Sequence, residues 1–231
     1  MSAPEAVRSA SSPSLHIAVV AAFEPEIIAL RDGAMLAHEQ VRLTICPVGV
    51  GLVESALGTA ALLASHRPDL VVFCGTCGAL PGSSLEVGDV VVSSQAKLVD
   101  SGSPLGVSAL PEIVPAVWSA PTLQQAPAYA LRDALLASGA KPAVVATTLG
   151  ITIDDHLARS LRETSSADAE HLEAFAVMRA CDRASVASLL VLGVANPVGS
   201  SGRATWLASH RRVSAHTNAL LARALGTLRA G

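Results

Sequence analysis

Aromatic residues are scarce in this chain: three Phe, two Trp and one Tyr make up 3% of 231 residues, although 51% are hydrophobic. The core must therefore be built from Ala, Val and Leu, a bias that suits a buried sheet covered by helices. Charge is sparse too, at 15% of residues with a net charge of −3. No basic block interrupts it, which excludes a nucleic-acid footprint. No apolar run approaches the roughly 18 residues of a membrane span. Runs such as those at 70–74 and 90–92 are of strand length. The four cysteines, Cys46, Cys74, Cys77 and Cys181, lie mostly in apolar surroundings. Cys74 and Cys77 form a C-x-x-C, but no second Cys or His pair stands at metal-ligand spacing. They read as reduced, structural thiols of a cytoplasmic protein. Residues 1–13, rich in Ser, Ala and Pro, lack the charged start and apolar core of a signal peptide and read as a disordered leader.

What is there is an alternation. Short aliphatic runs at 15–22, 41–48, 70–74, 87–93, 142–148 and 188–195 read as strands. Between and after them, 24–31, 53–66, 129–138, 154–163, 170–182 and 208–228 have helical character. Residues 101–128, with several prolines and no clear period, read as a long loop. The pattern predicts a single domain over 14–231. Its fold class is a three-layer α/β fold, with a mainly parallel, mixed central sheet covered by helices on both faces. In such a sheet the ligand site lies at the carboxyl ends of the strands.

Four segments follow strands or open helices there. Glu24-Pro25-Glu26 sets two carboxylates after the first strand, with Pro25 fixing the turn. Gly75-Thr76-Cys77-Gly78 reads as a small-residue loop that lets backbone N–H groups approach a ligand. Residues 170–175 (EHLEAF) open a helix, and residues 195–199 (ANPVG) follow the last strand. None is specific alone, since a Glu at a helix start is commonly a solvated charge that complements the helix dipole.

In order, these segments resemble the nucleoside phosphorylase and nucleosidase superfamily from about residue 15 to 225. The run IAVVAAFEPEIIAL is similar to the first strand and Glu-rich turn of the methylthioadenosine/S-adenosylhomocysteine nucleosidase branch. PDLVVFCGTCGAL resembles the family's Gly-Ser/Thr-x-Gly loop, and LEVGDVVVSSQAKLVD its strand ending in Asp100. EHLEAFAVMRAC resembles its E-M-E-A-x-A helix. The resemblance implies cleavage of the N-glycosidic bond of a purine nucleoside, without metal or cofactor. By the same resemblance Glu173 would hold the ribose hydroxyls and Leu172 would pack on the sugar. Glu26 would orient or deprotonate the attacking water, and Thr76, Gly75 and Gly78 would border the nucleophile pocket. Ile151, Thr152 and Phe175 would line the base pocket.

The phosphorylase branch binds phosphate with arginines after the first strand and just before the Gly-rich loop. Here the first turn has no Arg and the second position is Phe73, which favours water as the nucleophile. The base-contacting Asp of adenine-type relatives is Asn196, whose amide donates a hydrogen bond but no proton, which suits a 6-oxopurine such as hypoxanthine. Val198, Gly199, Arg203 and Trp206 further resemble a segment of futalosine hydrolases, which release hypoxanthine from a menaquinone precursor. Leu192, Ala195 and Gly202 depart from that pattern. A phosphate-dependent phosphorylase, with Arg203 or Arg211 supplying charge, and a non-catalytic nucleoside-binding relative remain the competing readings. The expected partners are a small-molecule nucleoside and a second copy of the chain, as homodimer or larger homo-oligomer, but no nucleic acid and no membrane.

Overall fold

Both faces of the central strands are apolar, and the two-residue period of a strand sorts them into two cores. In the computed structural model, residues 15–32, 41–119 and 126–228 are described. The expected leader at 1–13 lies outside them. From strands β1 (Leu15–Ala21) and β3 (Leu70–Ala79), the side chains of Ala18, Val20, Val71 and Phe73 enter one core. Leu62 and Leu63 of helix α2 (Gly51–His66) and Val177 and Met178 of α5 (Ala174–Arg183) close it. The alternate residues Ile17, Val19, Leu70 and Val72 enter the other core. It is closed by Leu131 and Leu135 of α3 (Ala126–Ala137) and by Leu220 and Leu221 of α6 (Gly202–Leu225). Helices therefore cover both faces. Between them run the short α1 (Ile28–Asp32) and, farther along, α4 (Asp155–Ser165).

The remaining strands are β2 (Val41–Pro47), β4 (Val90–Leu98), β5 (Val117–Ser119), β6 (Lys141–Thr147), β7 (Ala169–His171) and β8 (Ala187–Pro197). Their order is β2-β1-β3-β7-β6-β4-β5, and β8 pairs with both β3 and β4. The sheet thus closes on itself through β3, β7, β6, β4 and β8, while β1 and β2 extend it beyond β3. Pairing is parallel for β1–β2, β1–β3, β3–β8, β4–β6 and β6–β7, and antiparallel for β3–β7, β4–β5 and β4–β8. The mainly parallel, mixed sheet and its helical cover match the expected class.

Several boundaries differ. Residues 75–78, read as a loop, continue β3, because β8 supplies partners as far as Ala79. Glu170 and His171, read as helix, form β7 against Gly78 of β3 and against Ala146 and Thr147 of β6. A ladder vacancy beyond the end of β1 recruits them, so pairing overrides local preference. Strand β4 runs on to Leu98 rather than stopping at Ser93. The long loop expected at 101–128 contains a 3₁₀ turn (Ser103–Leu105) and β5, with its residues 120–125 outside those described. The last helix starts six residues earlier than expected.

Helix α6 packs directly against β8, where Gly193 faces it. A Cβ on Gly193 would press into Thr217 Oγ1 and Val213 Cγ1. Gly193→Ala should therefore lower stability by about 1–3 kcal/mol through overpacking, read as a lower urea midpoint at unchanged slope. An unchanged midpoint would mean that α6 does not bear on β8.

Candidate active site

The carboxyl ends of β1, β3, β6 and β8 open into one cleft of about 460 Å³, as the crossover geometry of such sheets leads one to expect. At its floor lies Glu26. Pro25 fixes a 3₁₀ turn over Glu24–Glu26 immediately after β1. The turn separates its two carboxylates. Glu24 points outward and pairs with Arg31 at 2.5 Å, whereas Glu26 turns inward and is buried. Glu26 Oε1 accepts the Thr76 N–H and the Thr76 Oγ1 hydroxyl, both at 2.8 Å. Oε2, beside Gly75, is buried without a partner. Burial pushes the carboxyl pKa up to about 7. The two Thr76 bonds and the Ala22 N–H pull against that rise, and the charge of Glu173 adds to it.

The turn is held from behind. Buried Asn218 of α6 donates from Nδ2 to the Glu26 carbonyl at 3.0 Å, and its Oδ1 accepts the Cys74 thiol at 3.2 Å. On the cleft side, Trp206 Nε1 donates to Thr76 Oγ1 at 3.2 Å, and its ring stacks on His210. A continuous chain of contacts thus links Trp206, Thr76 and Glu26. Cys77, three residues after Cys74, faces the opposite core. The C-x-x-C is therefore split across the strand, and burial raises the pKa of both thiols, that of Cys77 to about 12.

The second carboxylate is Glu173, buried at the start of α5. Its Oε1 accepts the Gly51 N–H at 2.6 Å, at the first turn of α2, where the helix dipole favours an anion. Among the described residues no donor reaches its Oε2. His171 Nδ1 is 3.2 Å away, but that nitrogen already accepts the Glu173 and Ala174 N–H groups at 3.1 Å. Burial lowers the His171 pKa against the pull of Glu173. The ring is accordingly neutral with its proton on Nε2, and Glu173 Oε2 faces an acceptor, awaiting a donor from elsewhere.

At the far end of the cleft Gly78 separates two polar side chains, Glu170 on β7 and Asn196 on β8. Asn196 donates one amide hydrogen to the Pro197 carbonyl at 2.8 Å, leaving the second and its oxygen for the cleft. The 151–153 segment forms the rim, with Ile151 and Ile153 exposed and Thr152 buried.

The family model described as "Phosphorylase superfamily" matches residues 17–226. The chain belongs to the phosphorylase superfamily. A superfamily relative, the 5'-methylthioadenosine/S-adenosylhomocysteine nucleosidase of Maridesulfovibrio salexigens, is 31% identical over 103 residues. That alignment covers 38% of this chain and 43% of the relative's own length. Among solved structures, the corresponding nucleosidase of Colwellia psychrerythraea, in complex with adenine, has a TM-score of 0.77 at 21% identity. It is matched over 93% of this chain and 96% of that one. The futalosine hydrolase of Helicobacter pylori has a TM-score of 0.80 at 15% identity, over 93% and 98%. At these identities the two structures speak for the fold.

Of the residues that the superfamily resemblance singled out, Glu26, Thr76, Gly78, Ile151, Thr152, Leu172, Glu173, Asn196 and Trp206 all line the cleft. Gly75 stands behind Glu26, close enough that a Cβ there would lie 3.0 Å from Oε2. Phe175 is a correction: it is buried in the core under α5 and does not line the cleft. With the helix beginning only at Ala174, two residues beyond Glu173 turn the side chain away. Phe73 is fully buried edge-on to His171. Residues not singled out, Glu170, His171 and Phe23 among them, line it as well.

Glu26 should leave a mark on stability. Its folded-state pKa, about 7, lies above the ordinary 4.5, so between those values the folded protein keeps a proton that the unfolded chain releases. The stability it contributes is complete below about pH 4.5 and is lost as pH rises through 7. Glu26→Gln removes the buried charge. It should raise the melting temperature at pH 8 by at least about 2 °C, with the gain shrinking towards pH 5. An equal change at both pH values would argue against a buried ionisable group.

Proposed function

We propose that the chain is a purine nucleosidase that hydrolyses the N-glycosidic bond of a 6-oxopurine nucleoside in the manner of a futalosine hydrolase. The observation that carries this reading is the Glu26 carboxylate, tethered through one oxygen to Thr76 while the other is free of donors. A water at Oε2 would be held and deprotonated by a base whose pKa, about 7, is matched to neutral pH.

The reaction adds the water's hydroxyl to C1′ and its proton, taken up by Glu26, is returned to the departing base. Cleavage builds positive charge on the ribose and negative charge on the base. Glu173 Oε2, lacking a donor in the free protein, would accept the sugar hydroxyls, and Leu172 would pack on the ring. Asn196 would donate to O6 or N7 as charge develops there, a contact typically worth about 3 kcal/mol in the transition state. Thr152 and Ile151 would border the base. Water rather than phosphate is supported by the charge of the cleft: Glu26, Glu170 and Glu173 line it, against a single guanidinium, that of exposed Arg203. A dianion would need more donors than that.

A homodimer fits the surface of α2. Val50, just before that helix, and Val53 and Leu57 on it are exposed at 59%, 63% and 61%, and Val50 also lines the cleft. A second copy seated on this stripe would reach the cleft mouth. Leu57→Glu should therefore yield a monomer by light scattering, whereas a wild type that is already monomeric rules the stripe out as an interface.

Base release from inosine and futalosine, with and without phosphate, tests the reaction. Phosphate-independent release of hypoxanthine is expected, with a rate that rises through about pH 7 as Glu26 ionises. Glu26→Gln should lower kcat by roughly 10²–10⁴-fold with a small effect on KM. Glu173→Ala should lower kcat/KM by roughly 10²-fold. Turnover only with phosphate would make the chain a phosphorylase. Binding without turnover, or full activity in both variants, would remove the hydrolase reading.

A further inference from the structure

Trp206 lines the cleft without a part in the proposed bond cleavage, yet its indole nitrogen joins the hydrogen bonds of Glu26. The ring stands near the start of α6 and is held from its own helix. His210, one turn on, stacks on it with centroids 4.1 Å apart and planes 10° from parallel. A carbonyl can only accept, so His210 Nδ1 donates to that of Trp206, at 2.9 Å. These two contacts aim Nε1 at Thr76 Oγ1, 3.2 Å away.

The direction of each bond follows from what each group can do. An indole N–H donates and never accepts. Thr76 Oγ1 must therefore accept on that side, and its single hydrogen is turned away from Trp206, onto Glu26 Oε1 at 2.8 Å. The Thr76 N–H reaches the same oxygen at 2.8 Å. Two donors fill the two lone pairs of Oε1, so a proton that Glu26 takes up goes to Oε2, which is buried without a partner. A hydroxyl free to turn would equally accept from a protonated Oε1, leaving the proton on the wrong oxygen. Hydrogen bonds in series also polarise one another, so the indole strengthens the hydroxyl's bond to the carboxylate.

We propose that Trp206 is a positioning residue for Glu26: its indole N–H locks the Thr76 hydroxyl as a donor to Oε1, which favours the ionised carboxyl and directs an incoming proton to Oε2. The consequence for turnover rests on the reading of Glu26 as the general base, but the lock itself belongs to the free protein. Glu26 shares the cleft with Glu170, His171, Glu173 and Arg203. The Cys74 and Cys77 thiols of the neighbouring strand also sense its charge, and His210 lies against the indole. All of these persist when Trp206 is replaced, so they do not account for a difference between the two proteins.

Nuclear magnetic resonance of the free protein tests the lock without turnover. Trp118 and Trp206 are the two tryptophans, and the indole N–H signal absent from Trp206→Phe identifies the second. In the unmodified chain that signal should move as Glu26 ionises, near pH 7. The movement should vanish in Glu26→Gln, where any contribution of His210 persists. With isotope-labelled glutamate carboxyls, the Glu26 signal is the one missing from Glu26→Gln. Trp206→Phe keeps an aromatic ring and removes the donor, and should raise the Glu26 midpoint by about half a pH unit. Thr76→Val should raise it further, and adding Trp206→Phe to that variant should change nothing more. An indole signal indifferent to Glu26, an unchanged midpoint in Trp206→Phe, or the same rise in both backgrounds overturns the assignment. Base release whose pH profile stays put in Trp206→Phe would leave the nucleosidase reading standing and remove Trp206 from it. A moved carboxyl midpoint in a chain that releases no base would do the reverse.

Discussion

The Glu26 carboxylate sits in the interior with both Thr76 donors on the same oxygen, and the rest of the cleft is arranged around that asymmetry. Burying an ionisable group costs free energy unless hydrogen bonds replace its water. Thr76 supplies two such bonds, from N–H and hydroxyl, only because β3 continues past Cys74 and delivers residue 76 to the end of β1. The backbone of Glu26 is pinned in turn by Asn218, itself held by the Cys74 thiol of the same strand. Strand β3 therefore fixes both ends of the acid. A shift of its register by one residue would exchange Thr76 for Gly75 or Cys77, neither of which offers a comparable pair of donors.

The same strand organises the opposite end of the cleft. Its last residues lie between β7 and β8, and their small size makes room for side chains from neighbouring elements. Gly75 yields space to Glu26 and Gly78 to Asn196. The closed part of the sheet, which runs through β3, β7, β6, β4 and β8, leaves these positions little freedom to move independently. That rigidity suits a site whose polar groups must stand ready before the substrate arrives.

Much of this was legible in the residues. The alternating aliphatic runs announced a covered, mainly parallel sheet, whereas Glu26, Thr76, Glu173 and Asn196 were singled out by the superfamily resemblance of the ordered segments that carry them. Other features depend on contacts that no local pattern encodes. Strand β7 is three residues long and owes its state to pairing with β3 and β6, so Glu170 read as helix and its role as a wall residue stayed hidden. Phe175 followed Glu173 closely in sequence, yet the helix that begins between them rotates it into the core. Asn218 acts across 192 positions of chain on the Glu26 carbonyl. His171 looked like a polar helix start, and only the two N–H groups on Nδ1 reveal it as a buried neutral ring.

The charge of the cleft ties these parts to the proposed chemistry. Three carboxylates in one partly enclosed volume repel one another, and a single guanidinium at the exposed mouth offsets little of that through solvent. Such a field opposes an anionic co-substrate, whose entry would add charge of the same sign. It favours instead a neutral nucleophile and a ribosyl group that becomes cationic as its bond to the base breaks. Most of the interaction then appears in the transition state rather than in the bound nucleoside, which is the condition for accelerating the bond cleavage rather than merely tightening binding. In the proposed reaction the departing base, the one species that gains negative charge, would meet the amide of Asn196, a neutral donor in that cleft.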